Sequence, residues 1–162
     1  MIDIGGELYK DTTTQPDRSK EMSTRSTIAI KQNDKVTAIY CHFDGYKEGV
    51  GAILEQHYQD VDKVLRLMNL GNLSVLSQEI GAYQDFSNRS THQEDWCLAY
   101  GRDRGETGQE ARTFDSVADW VTNFNSGEEY YYLYTIGEGW EIANNYGDEV
   151  TFSQLKTKEK VA

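Results

Sequence analysis

The chain has 162 residues, 38% of them hydrophobic and 27% charged, a composition typical of one globular domain rather than of a disordered chain. The formal net charge of −11 argues against direct nucleic-acid binding, because phosphate backbones would be repelled. The longest apolar run is too short to span a bilayer, so we expect no membrane partner.

The N-terminal segment is predicted to lie apart from the compact unit. Residues 1–22 are mostly polar, hold the single proline, and lack the basic flank and apolar stretch of a secretion signal. A clean strand pattern follows Met22 at once. We therefore expect an N-terminal extension over residues 1–22 and a single domain over residues 23–162.

A β-hairpin is predicted directly after this extension. The β-rich runs "TRSTIAIK" and "VTAIYCHF" flank an Asn33-Asp34 turn. A two-residue loop there pairs Ile28 with Ile39, so one face of the hairpin is apolar and forms the core side. The same register places Arg25 directly across from His42, on the face away from that core.

Helices are predicted next, and a second hairpin at the end of the chain. Residues 50–61 and 61–70 carry apolar positions at helical spacing, with Asp60 as a cap and Gly71 as a stop. Residues 83–95 are expected as a polar surface loop, 96–102 as a strand and 113–124 as a helix. The runs "EEYYYLYTI" and "GWEIAN" then predict a hairpin. The order ββ-αα-β-α-ββ indicates an α+β fold, an antiparallel sheet with helices packed on one face.

The end of the second predicted strand is the first candidate site. His42, Asp44 and Tyr46 lie there, with Arg25 across the ladder. Histidine titrates near neutrality, aspartate can orient it, and arginine can hold a carboxylate or phosphate. The alternative is a plain Asp44-Gly45 turn with a surface histidine, and the pattern alone favours that alternative.

A second candidate lies in "GRDRGE", after the predicted strand at 96–102. Arg102 and Arg104, with Asp103 between them, can clamp an anionic group through the two guanidinium groups, or the alternating charges of this loop can form a solvated surface. The three histidines show no metal-ligand spacing, and the two cysteines form no CxxC pair. We therefore expect no metal site and no cofactor, and cysteine usage favours a reducing cytoplasm.

The motifs of both candidates carry a resemblance. "MSTRS" (22–26), "YCHFDGY" (40–46) and "GRDRGE" (101–106) resemble motifs of a family of small uncharacterised proteins encoded by tailed bacteriophages, including cyanophage-like members, and the likeness spans about residues 22–140. The resemblance implies a viral protein acting in the cytoplasm of a host bacterium. It implies no catalysis.

Three functions follow as hypotheses. The first is a non-enzymatic phage accessory protein that binds a host macromolecule or a small anionic ligand, in host takeover or anti-defence. The second is a small hydrolase or nucleotide-processing enzyme that uses His42 and Asp44 with arginine anchors. The third is an acidic mimic of nucleic acid. Convergence of Arg25, His42, Arg102 and Arg104 on one pocket would favour ligand chemistry.

Overall fold

The computed structural model describes residues 23–147 and 149–156, and the predicted extension over residues 1–22 lies outside them. Within the described residues the strands are β1 (Ser26–Gln32), β2 (Lys35–Cys41), β3 (Leu73–Val75), β4 (Leu98–Ala99), β5 (Arg112–Phe114), β6 (Tyr130–Thr135), β7 (Gly139–Asn144) and β8 (Ser153–Gln154). They form one sheet in the order β4-β3-β2-β1-β6-β7-β8, and β5 also pairs with β2.

Four short α-helices connect the strands in these residues: α1 (Ala52–His57), α2 (Val61–Leu70), α3 (Tyr100–Arg104) and α4 (Val117–Asn123). The Asp60 side chain caps α2 by accepting from the Asp62 backbone N–H, and Gly71 ends it at a φ of 86°, both as predicted. The Ser116 side chain accepts from the Asp119 N–H and so caps α4. No helix in the described ranges is long and apolar enough to cross a membrane.

The first hairpin has the predicted register. Ile28 pairs with Ile39 and Ser26 with Cys41. Asn33 and Asp34 have φ values of 50° and 72°, so both turn residues are left-handed, as in the type I′ turn whose twist matches that of paired strands. The turn therefore fixes the register of the hairpin, and the register decides which side chains lie opposite one another on each face of the sheet.

The predicted α+β class is confirmed, but the sheet is mixed rather than purely antiparallel. β1 pairs with β6 in parallel, and β2 pairs with β3 in parallel at Cys41 and Leu73. The two predicted hairpins are antiparallel within themselves, as local turns require. The parallel contacts join strands far apart in sequence, and turn residues carry no information about such contacts.

Helices cover both faces of the sheet, whereas one covered face was expected. On the first face Ile28 and Ile39 pack with α1, α2 and Tyr132. On the second face the small side chains of β1 and β2 pack against α4, and the Thr27 hydroxyl accepts from the Trp120 indole N–H at 3.1 Å. Ala29, Val36 and Ala38 make this second face apolar, so it also has to be covered.

Candidate functional site

The end of β2 is held by β3 and then broken at Asp44. The backbone N–H groups of His42 and Phe43 donate to the carbonyl oxygens of Leu73 and Ser74, at 3.0 and 3.1 Å. Asp44 then adopts a φ of 58°, a left-handed conformation that non-glycine residues seldom take. The strand thus ends at a residue held in a strained conformation.

A π-helical turn, Lys47–Gly51, fixes this strained residue. The Val50 N–H donates to the Asp44 carbonyl oxygen at 2.8 Å. A Cβ added at Gly49 would overlap that same oxygen, so only glycine allows the approach. π-helical turns often lie at functional sites, so this corner is a candidate for one.

Arg25, Tyr40 and His42 form a polar cluster beside the strand end. The Tyr40 hydroxyl and the His42 Nδ1 are hydrogen-bonded at 2.7 Å, and the Arg25 guanidinium also hydrogen-bonds the Tyr40 side chain. Burial, and then the Arg25 charge, lower the pKa of His42. The predicted neighbourhood of guanidinium and imidazole therefore exists, with Tyr40 between them.

His42 and Asp44 are not hydrogen-bonded to each other. The His42 Nδ1 is engaged by Tyr40, and the Asp44 carboxylate accepts from the Tyr46 hydroxyl at 3.2 Å. The Asp44 charge, followed by burial, raises the pKa of Tyr46, whose side chain is exposed. The arrangement lacks the carboxylate-oriented imidazole that a general base commonly uses.

Arg102 and Asp103 form an internal clamp rather than a binding surface. Asp103 is 3% exposed, and its carboxylate accepts from the backbone N–H groups of Gln84 and Ala99 at 2.9 and 2.8 Å. The Arg102 guanidinium donates to Asp103 and to the Ile80 and Cys97 carbonyl oxygens. The clamp holds the segment between β3 and β4 against α3, so both side chains serve to stabilise the fold.

A cleft of about 670 Å³ opens at the end of β2. Its lining residues include the charged or imidazole side chains of His42, Asp44, Arg89, His92 and Arg104. Arg89 lies on a 3₁₀ turn, Arg89–Thr91, and the His92 Nε2–H donates to the Asp85 carbonyl oxygen at 2.8 Å. Three of the seven candidates therefore share one cleft: His42, Asp44 and Arg104. Arg25 lies close to the first of them.

Arg104 is held over two aromatic rings of the same cleft. Its guanidinium carbon lies 4.5 Å from the centroid of Phe86 and 4.8 Å from that of Tyr100, and the two rings stack at 5.6 Å. Glu106 also pairs with the guanidinium. Contact with the ring faces favours the cation and restricts its orientation.

Comparison of the chain with protein-family models, with curated proteins and with solved structures finds no match in any of the three. The resemblance to the phage family stays an expectation based on motifs.

Several cleft residues were not singled out in the sequence. Phe86, Arg89 and His92 fall in residues 83–95, which were expected as a surface loop. For Tyr40, which hydrogen-bonds His42, the sequence predicted only the face of the hairpin on which it lies. One signal was present, since Arg89 and His92 are the only basic residues of that segment. Among the described residues, no group of three or more histidine, cysteine or acidic side chains is arranged to hold a metal ion.

Proposed function

We propose that this protein binds a small anionic ligand in the cleft at the end of β2 and that it acts as a binding protein rather than an enzyme. The observation that carries the proposal is the local charge. The guanidinium groups of Arg89 and Arg104 line the cleft together with two imidazoles, in a chain whose formal net charge is −11. The carboxylates beside them are that of Asp44, which also lines the cleft, and that of Glu106, which pairs with Arg104. Two guanidinium groups gathered in one recess of an acidic protein attract anions that the remaining surface repels.

The partners of the two arginines support this proposal. Arg104 is pre-oriented by Phe86 and Tyr100, so little side-chain entropy is lost when it binds an anion. Arg89 is exposed and lies on a turn that itself faces the cleft. Two guanidinium groups around one recess suit a carboxylate or a phosphate, both of which accept hydrogen bonds in pairs.

A titration of inorganic phosphate, followed by backbone amide NMR, tests the proposal. We expect millimolar binding with shifts confined to the cleft, and loss of that binding in the double variant Arg89→Ala/Arg104→Ala. Arg66→Ala is the matched control, because Arg66 is exposed on α2, away from the cleft. Phosphate shifts spread over the whole surface, or binding unchanged in the double variant, would contradict the proposal.

With the motif resemblance, the proposed role is that of a phage accessory protein in the cytoplasm of a host bacterium. A protein that sequesters a small anionic molecule could blunt a host defence or redirect host metabolism without any reaction. A host protein remains the second kind of partner within this hypothesis. The cleft favours the small ligand, because polar and apolar side chains line one concave recess.

A hydrolase or nucleotide-processing enzyme is the second candidate. The strained φ of 58° at Asp44 favours it, because such strain is common at catalytic sites. Incubation of the protein with nucleotides and phosphate esters tests it, and product formation abolished by His42→Gln would support it. The acidic nucleic-acid mimic ranks third, since the cleft supplies cations rather than a row of carboxylates.

A further inference from the structure

The cleft is larger than an inorganic anion requires. Its volume of about 670 Å³ lies in the range of pockets that bind small organic molecules. Apolar side chains contribute to its wall, among them Phe43, Val75 and Leu98. A bare phosphate would bury none of this apolar surface favourably. A ligand with an apolar part would remove the surface from water, which favours binding.

The aromatic side chains indicate the shape of that apolar part. Phe86 and Tyr100 stack at 5.6 Å with an interplanar angle of 29°, and the Arg104 guanidinium extends the same group. Rings and guanidinium planes both accept a planar ring by stacking. The cleft therefore offers planar surfaces next to positive charge.

Asp44 gives the cleft a carboxylate beside its arginines. A carboxylate accepts hydrogen bonds only, so a ligand group beside Asp44 has to donate and cannot be the anionic group. The anionic group instead belongs near Arg89 and Arg104, which also line the cleft. A ligand that carries both a hydrogen-bond donor and an anionic group satisfies both requirements.

We infer that the ligand is a planar aromatic anion, with its ring on the aromatic wall of Phe86 and Tyr100 and its charged group at the arginines. A nucleoside monophosphate has this chemistry, and so does an aromatic carboxylate. This inference rests on the proposed function, because it names the class of anion that the same cleft would select.

Calorimetric titrations of the unaltered protein test the inference with matched pairs of probes. AMP is compared with ribose 5-phosphate, and indole-3-acetate with acetate. In each pair the first compound carries an aromatic ring system that the second lacks. We expect at least one aromatic anion to bind about tenfold tighter than its ring-free counterpart, a gain typical of stacking on an aromatic side chain. The pair that shows the gain also identifies the anionic group as phosphate or carboxylate.

The failures of the two proposals are distinguishable. Ring-free and aromatic anions that bind equally well would overturn the inference and leave the proposed anion site standing. Adenosine that binds as tightly as AMP would overturn both, because the charged group would then contribute nothing. Absence of binding by every anionic probe would likewise overturn both.

A variant of the ring wall provides the second test. Phe86→Leu keeps the apolar volume and removes the ring, so we expect the tenfold preference for the aromatic anion to fall to about threefold or less, while ribose 5-phosphate binding is kept. Phe152→Leu is the matched control, since Phe152 stacks on Trp120 and does not line the cleft. An undiminished preference in Phe86→Leu would overturn the role of the ring wall.

Discussion

The behaviour of His42 depends on two neighbours that the sequence places at different distances. Tyr40 is two residues away and hydrogen-bonds the ring, whereas Arg25 reaches it only through the hairpin register. The face shared by these residues follows from strand alternation and turn length, and it could therefore be predicted. The choice of Tyr40 rather than Asp44 as the hydrogen-bond partner of His42 could not be predicted, because each lies two residues from His42 and strand alternation does not distinguish them.

Substitution of Arg25 by glutamine is expected to raise the pKa of His42 towards its ordinary value. The charge of Arg25 lowers that pKa, while burial, the larger cause, stays in the variant. An NMR titration of the His42 ring protons measures the change. Arg66→Gln removes an exposed arginine on α2 and should leave the His42 titration unaltered.

The lowered pKa of His42 also predicts how the stability of the protein changes with pH. Because folding lowers the pKa of His42, the unfolded state binds more protons than the folded state between the two pKa values. The contribution of His42 to the free energy of unfolding is therefore fully present above the unfolded-state pKa. This contribution is lost as the pH falls from there through the folded-state pKa. Arg25→Gln should flatten this loss, and an unchanged pH profile together with an unchanged His42 pKa would contradict the proximity of the two groups.

At the scale of elements, local chemistry explains the parts of the fold that could be predicted. The Asn33-Asp34 turn, the Asp60 cap and the stop at Gly71 each act within a few residues, and each is found where the sequence indicates. The short strands β3, β5 and β8 were not predicted. With two or three residues each, they are too short to show an alternating pattern. They exist because longer neighbours offer edges to pair with.

The π-helical turn gives a sharp prediction at this scale. Gly49→Ala should destabilise the protein by about 1–3 kcal/mol, since the new Cβ would overlap the backbone oxygen of Asp44 and backbone cannot move aside cheaply. Gly101→Ala is the matched control. Its Cβ would lie 3.7 Å from the nearest atom, within a helix, so the variant should be neutral or more stable by up to about 1 kcal/mol.

Urea unfolding of the two variants measures both effects. Equal stabilities for Gly49→Ala and Gly101→Ala would show that the contact between the π-helical turn and Asp44 is not tight.

At the scale of the whole molecule, one sheet separates two hydrophobic cores. The larger core lies under α1 and α2 and includes both cysteines, while the smaller one lies under α4 around Trp120. Binary patterning predicts the larger core, because Ile28, Ile39 and the helical stripes alternate with polar residues. The smaller core was missed, since alanines and a threonine on the opposite face read as a partly polar surface.

The thiols report on the integrity of the larger core. Burial raises the pKa of Cys41 to about 12 and also raises that of Cys97, so neither is a reactive thiolate in the folded protein. We expect neither to react with Ellman's reagent at mildly alkaline pH, and both to react in guanidinium chloride. Ser87→Cys supplies an exposed thiol as the positive control. Rapid native-state reaction of Cys41 or Cys97 would mean that this core opens locally.

The parallel junction of β1 and β6 has a consequence for biosynthesis. Ser26 lies beside Tyr130, so roughly a hundred residues have to leave the ribosome after β1 before its second edge finds a partner. During that interval the nascent chain exposes a row of unpaired amides and carbonyls beside apolar side chains, a template for association with other chains. Yield in a cell should therefore depend on translation speed and chaperone supply more strongly than the stability of the finished protein would suggest.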